Sequence, residues 1–320
     1  MIIMIKTGIY GLFDINNSII ENITDVAELD VVGICSPHFD NNNTDNIFGL
    51  SNLKRFGNID AFLNEVDAVI AFSPVSDLDN VELLVRNSKH VLFEPIPEYT
   101  NENVSRLVNI IEEANVKVQA GFHYRFNNTF LAAKPFIKKP KFIQSNNFIQ
   151  FNLDKSSCSV LMDMLINDID IVLSVIKSNV KKVYANSSTI SCSEPDIINV
   201  RIEFMNGSVA QLTVGRVSTE DSHIINFYCD KNYTSIDLCL NKAWQIKKRN
   251  SQSEVSLFYE SVGDLIVDPI PVKLNNHFYD EFSSFAKSIV YDRPTEVDMD
   301  TVIVTYQIAD QIKEKIKIFM

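Results

Sequence analysis

Glycine is scarce, nine residues in 320. Phosphate-cradling loops depend on glycine for close backbone approach, so a nucleotide site here would have to work with few of them. Long hydrophobic runs are also missing: Ala68-Val69-Ile70-Ala71-Phe72 is typical, far short of the ~20 residues a membrane helix needs. Basic residues are outnumbered, with 29 Lys and Arg against 41 Asp and Glu, and the net charge is −12. That excludes the basic face on which non-specific nucleic-acid binding depends. The five cysteines (Cys35, Cys158, Cys192, Cys229 and Cys239) are odd in number, scattered and without C-x-x-C spacing. They exclude a disulfide framework and read as thiols of a reducing compartment. The five histidines include no i, i+4 pair, so no metal is expected. Met1-Ile2-Ile3-Met4-Ile5-Lys6 lacks the basic start and small-residue cleavage site of a signal peptide. A cytoplasmic protein with neither a membrane nor a nucleic-acid partner is the expectation.

The chain is 46% hydrophobic and 22% charged, an ordinary globular composition, and its length suits two domains. Up to about residue 120, short apolar runs alternate with amphipathic stretches, the rhythm of βαβ units in a parallel sheet. Strands are predicted at 3–10, 30–35, 68–72, 90–94 and 117–121, and helices at 16–27, 59–66, 77–88 and 101–114. Beyond Gly121 the rhythm changes. Helical stretches at 127–137 and 160–177 alternate with strand-like runs at 142–152, 181–190, 198–205, 208–216 and 223–240. Asn206-Gly207 predicts a type I′ hairpin, and 276–318 predicts two helices. The fold class expected is α/β. A doubly wound parallel sheet spans 1–121, and an α+β domain with a large, mostly antiparallel sheet spans 122–320.

Four segments carry the chemistry. Glu94-Pro95-Ile96-Pro97 follows the apolar run His90-Val91-Leu92-Phe93. Gly121-Phe122-His123-Tyr124-Arg125-Phe126-Asn127 follows the last predicted strand of the first half. Asp163-Met164-Leu165-Ile166-Asn167 continues into Asp168-Ile169-Asp170, and Gly207-Ser208-Val209-Ala210-Gln211-Leu212-Thr213 is followed by Arg216. In this order and spacing the chain resembles, over nearly its whole length, the Gfo/Idh/MocA oxidoreductases (glucose–fructose oxidoreductase, inositol dehydrogenase and relatives). The resemblance implies a Rossmann domain for NAD or NADP, and a second domain whose open sheet mediates oligomers. It also implies cofactor positions at Gly11, Phe13, Ser36, Ser73, Pro74 and Glu94, and a catalytic cleft including Asp163, Asn167 and His123.

Against the family pattern six positions depart together. Of G-x-G-x-x-G only Gly11 remains, with Phe13 and Asn16 at the other two glycines, so an aromatic ring stands where pyrophosphate should approach. Ser36 replaces the acid that holds the ribose hydroxyls, and Leu78 replaces a histidine. Pro95 stands at the lysine that polarises the substrate oxygen and brings neither charge nor backbone donor. Asn167 stands at the proton-transferring histidine and cannot exchange protons near neutral pH. Asp163, Asn167 and Asp170 share one face of a regular helix. That face either lines a cleft or is satisfied by neighbouring backbone. His123 and Tyr124 are the substitutes considered for the lost groups, although a lone histidine is more often structural than catalytic. The reading that follows is a homologue that has lost or strongly altered NAD(P)-dependent dehydrogenase activity and has a binding or scaffold role. As partners it implies a homo-oligomer through the C-terminal sheet, or a hetero-oligomer with an active paralogue. The alternative is an active oxidoreductase on a sugar-like or cyclic polyol, using non-standard residues.

Overall fold

A computed structural model describes residues 4–11, 17–36, 53–72, 77–95, 101–151, 159–191, 194–230, 232–248, 260–262 and 265–317. The chain divides into two compact units. One comprises 1–123 with 276–303, and the other 124–275 with 304–320. The boundaries read from the sequence keep both C-terminal helices in the second domain. Here the first of them belongs to the first unit.

In the first unit, β1 (Ile5–Tyr10), β2 (Leu29–Cys35), β3 (Lys54–Phe56), β4 (Ala68–Ala71), β5 (His90–Phe93) and β6 (Val118–Ala120) form a parallel sheet in the order β3-β2-β1-β4-β5-β6. The order in which strands are added reverses between β1 and β4, the switch point of a doubly wound fold. Helices α1 (Asn17–Thr24), α2 (Ile59–Leu63), α3 (Leu78–Arg86) and α4 (Asn101–Ala114) are the crossovers. Short polar side chains start several of them, because an oxygen on the cap satisfies an orphan N–H of the first turn. Asn58 accepts from Asp60 N in this way, and Asp77 from Asn80 N. Helix α7 (His277–Val290) packs Phe282, Phe285 and Ala286 into a core with Ile9 of β1, Ile20 and Ile23 of α1, Ile70 of β4 and Leu92 of β5.

In the second unit, α5 (Asn128–Ala133) follows a 3-10 turn at His123–Phe126. The sheet strands are β7 (Phe142–Gln150), β8 (Val180–Ser188), β9 (Ile197–Phe204), β10 (Val209–Ser218), β11 (Ser222–Tyr228), β12 (Asn232–Asp237), β13 (Lys242–Lys248), β14 (Glu260–Val262) and β15 (Leu265–Ile270). They form a nine-stranded sheet in the order β14-β15-β13-β12-β11-β7-β10-β9-β8. Only the β7–β10 pair is parallel. A π-helical turn at Val160–Leu165 leads into α6 (Ile166–Val175), and the turn packs against β9 and β10. Helix α8 (Met299–Lys317) is the last described element, with 299–303 counted in the first unit and the rest in the second.

The β9–β10 hairpin forms as predicted, but its turn differs. Gly207 N donates to Phe204 O at 3.0 Å, and Gly207 alone has a positive φ, +83°. That is a type I turn closed by a left-handed glycine. A type I′ turn needs Asn206 left-handed as well. Among the described residues no helix is long and apolar enough to cross a membrane.

Candidate functional site

The first unit places several expected cofactor positions at the C-terminal ends of its parallel strands. Gly11 follows β1 with φ +80° and donates its N–H to Cys35 O at 2.9 Å. Ser36 follows β2 and is buried. Glu94 continues from β5, donating its N–H to Ala71 O at 3.2 Å, and Pro95 comes next, half-buried. Phe13, Asn16, Ser73 and Pro74 lie outside the described residues. Leu78 is buried at the start of α3. The His123 ring lies 5.9 Å from that of His277 and 5.6 Å from that of Phe278. Burial pushes the His277 imidazole below its ordinary pKa, against a smaller opposing effect of Asp280. His123 is therefore part of an aromatic packing group at the start of α7. For a dinucleotide, Gly11 keeps the left-handed backbone of the family's first glycine, and Ser36 supplies no carboxylate for the ribose hydroxyls.

Asp163 and Asn167 belong to the second unit. They do not share a face with Asp170 as a regular helix would require. The π-helical turn inserts an extra residue and rotates the register, leaving Asp163 exposed while Asn167 and Asp170 are buried. Asp163 Oδ2 accepts from Ser159 N at 2.6 Å, and Ser159 Oγ accepts from Met162 N at 3.2 Å, a reciprocal cap. Asn167 Nδ2 donates to the Asp163 carbonyl at 3.1 Å, while its buried Oδ1 has no partner. Asp170 is gripped by Arg125, with Nε–Oδ2 and Nη2–Oδ1 both at 2.7 Å.

A polar cluster forms beside this helix: Tyr124 and Asp168, which the sequence pointed to, meet Ser145, Asn147 and His223, which it did not. Ser145 and Asn147 alternate onto the buried face of β7, and β11 lies antiparallel to it with His223 opposite Asn147. Ser145 Oγ donates to Asp168 Oδ2 at 2.8 Å. Asp168 Oδ1 lies 2.8 Å from His223 Nε2, within ion-pair distance but outside hydrogen-bond alignment. The Tyr124 ring lies 5.1 Å from that of His223. Burial pushes its phenol up to about 12, with the Asp168 and Cys239 charges adding and the Asn147 amide opposing. Tyr124 is therefore a hydrogen-bond donor at physiological pH. Asn147 Nδ2 is buried without an aligned acceptor. The cluster thus combines locked carboxylates with amide capacity left open. Buried amides normally find partners, so such atoms mark where a polar guest or water completes the network. The signal in the sequence was Ser145 and Asn147 at inward positions of an otherwise apolar alternation. Among the described residues no group of His, Cys, Asp or Glu could hold a metal ion.

No protein-family model matches the chain. UDP-N-acetylglucosamine 3-dehydrogenase of Acidithiobacillus ferrooxidans is 24% identical over 248 residues, 77% of each chain. A solved structure of UDP-N-acetylglucosamine 3-dehydrogenase from the same organism superposes with a TM-score of 0.87 at 19% identity, covering 99% of both chains. The structure of scyllo-inositol dehydrogenase from Lactobacillus casei with bound NAD(H) and scyllo-inositol gives a TM-score of 0.75 at 19% identity, over 98% of this chain and 97% of that one. These likenesses carry the fold along the full chain.

Proposed function

We propose that this chain, which has the fold of the Gfo/Idh/MocA oxidoreductases, binds a hydroxyl-rich small molecule in its second unit and has lost or strongly altered NAD(P)-dependent dehydrogenase activity. One observation carries the reading. The helix that should present a proton-transferring pair presents Asn167, an amide bonded to its own backbone with one buried oxygen still open, and Asp163, a carboxylate occupied in capping. Amides such as Asn167 and Asn147 can hold sugar hydroxyls and cannot shuttle their protons. Pro95 adds no cation, and Ser36 weakens the ribose contact. Losing a charged hydrogen bond there costs about 1.5–3 kcal/mol, roughly ten- to a hundredfold in affinity. NAD and NADP are therefore expected to bind weakly.

The test is calorimetric titration with NAD, NADH, NADP and NADPH, and separately with scyllo-inositol and UDP-N-acetylglucosamine, ligands taken from the relatives. The expected result is heat from a polyol or nucleotide sugar and none from micromolar dinucleotide. A micromolar dissociation constant for any dinucleotide restores the second reading, an active oxidoreductase on a sugar-like or cyclic polyol. That reading draws support from Tyr124 beside the Asp168–His223 pair, and it requires cofactor reduction that His223→Ala abolishes. As partners we propose a second copy of the chain on the open sheet face, where Asn199, Gln211 and Thr213 form a half-exposed hydrogen-bonded ladder, or an active paralogue on the same face. A clean monomer by sedimentation at micromolar concentration counts against the self-association. A cytoplasmic location is proposed with it.

A further inference from the structure

The segment after α5 and the β11–β12 hairpin enclose a pocket of about 540 Å³ in the second unit, floored by Phe136 and Cys229 and rimmed by Lys138, Lys139 and Lys247. Its volume is in the range of small-molecule sites. Cys229 lies six residues along the chain from His223, roughly 20 Å at the rise of a strand, so the pocket is separate from the polar cluster.

Charge distinguishes it. The protein carries a net charge of −12, yet three of the residues lining this pocket are lysines. Of the lining residues, Lys247 pairs with Asp268 at 2.5 Å, and Asp230 lies 4.0 Å from Lys141, which is outside the lining. Lys138 and Lys139 are exposed and have no carboxylate within ion-pair distance among the described residues. Two positive charges are left over at the mouth of an apolar-floored hollow. The backbone there is fixed: Lys138 N–H bonds the Cys229 thiol, and Lys139 holds φ +50° ahead of Pro140.

We propose that this pocket binds a small organic phosphate, its apolar part against the Phe136 ring and its dianionic head between Lys138 and Lys139. A dianion neutralises both uncompensated lysines, whereas a monocarboxylate leaves one. A long polyanion would meet the acidic remainder of the surface.

Phenyl phosphate is the probe, titrated calorimetrically into the full chain at low salt, with benzyl alcohol as its uncharged counterpart. The doubly substituted Lys138→Gln, Lys139→Asn chain removes both charges, and Asn tolerates the left-handed backbone that residue 139 adopts. Thermal melting verifies that the variant folds. Phenyl phosphate is expected to bind the native chain with an affinity that falls as salt rises, and to bind the variant about tenfold or more weakly, equivalent to about 1.4 kcal/mol. Benzyl alcohol is expected not to bind, and Lys242→Gln is expected to bind phenyl phosphate as the native chain does. Mass-resolved alkylation reports the location: phenyl phosphate slows modification of half-buried Cys229 and leaves that of exposed Cys239 unchanged. Absence of binding at millimolar concentration overturns the proposal. So do equal affinities of native chain and double variant, an equal loss in Lys242→Gln, or unaltered labelling of Cys229.

Discussion

Arg125 and Asp170 are both almost completely buried, so each charge depends on the other. Taking two ions out of water costs several kcal/mol each, and only well-formed charge-assisted hydrogen bonds return it. Asp170→Ala leaves a guanidinium buried without its counter-ion and is expected to lower stability by about 3–5 kcal/mol, read as a shift in the urea midpoint. An apolar pair, Arg125→Met with Asp170→Leu, is expected to recover much of that loss. If the single and double variants are equally unstable, packing and not charge is what the site requires. Asp196 makes a different prediction. Burial alone would raise its carboxyl, but the N–H groups of Ser191 and Ile190, the Ser191 hydroxyl and the Arg216 guanidinium outweigh burial and hold it well below the usual carboxylate range. A carboxyl lowered on folding stabilises the native state above its unfolded pKa of about 4, and that stabilisation is lost as pH falls toward the folded value. Asp196→Asn is expected to flatten the acid limb of a stability–pH curve below about pH 4, measured by urea melts at successive pH values. An unchanged slope would show that other carboxylates dominate that limb.

Among the elements, the π-helical turn and its cap are the most instructive. A reciprocal cap ordinarily joins the N-cap to the third residue of the first turn. Here Ser159 is answered by Asp163, four residues on. The wider π-helical turn accounts for the extra step, and it also moves Asp163 away from the face of Asn167. Ser159→Ala and Asp163→Ala are each expected to cost about 1 kcal/mol. The double variant should cost less than their sum, because each bond orients the other. Full additivity in denaturant melts would mean that the two bonds act independently. A helix-period reading could not have found this turn, since the apolar run Val160-Leu161-Met162 looks the same in either register. The parallel strands were legible because both faces of that sheet are covered and the runs are continuously apolar. Strands β3, β13, β14 and β15 were not: Lys54-Arg55-Phe56 is short and basic, Lys242–Lys248 is lysine-rich, and Glu260–Val262 and Leu265–Ile270 are short and broken by Glu260, Asp268 and Pro269. The predicted run 223–240 merged β11 and β12, which are joined by a short polar hairpin. The site divided in the same way. Asp163 and Asn167 stood out through a local motif, but the motif did not show that the π-helical turn parts them. His223, Asn147 and Asp168 meet only through the β7–β11 register and the packing of α6, which no local spacing encodes.

At the scale of the molecule, the first unit is discontinuous in sequence, and its core depends on residues far from its parallel strands. Phe282, Phe285 and Ala286 of α7 fill the space between α1 and the sheet. Burial of two phenylalanines contributes about 1.5–3 kcal/mol each, and a domain's net stability is only about 5–15 kcal/mol. A fragment comprising 1–121 therefore gives up a large fraction of its margin and exposes Ile20, Ile23, Ile70 and Leu92. It is expected to lack a cooperative thermal transition and to bind a hydrophobic dye, as a loosely packed state does. Supplying 276–303 should restore cooperativity. The geometry for doing so in one chain is favourable, because the His123 and His277 rings lie only 5.9 Å apart and Asn276 Nδ2 donates to Asn22 Oδ1 at 2.6 Å. Residues 1–123 joined to 276–303 by a short Gly/Ser linker should thus unfold in a single transition, with a steeper urea dependence than 1–121 because more surface is exposed on unfolding. Substituting Phe282→Ala and Phe285→Ala in the joined chain should return it to the behaviour of the shorter fragment. If 1–121 alone melts cooperatively, with the same midpoint and slope as the joined chain, then α7 covers a core that is already complete, and the boundary at Gly121 marks an independent folding unit.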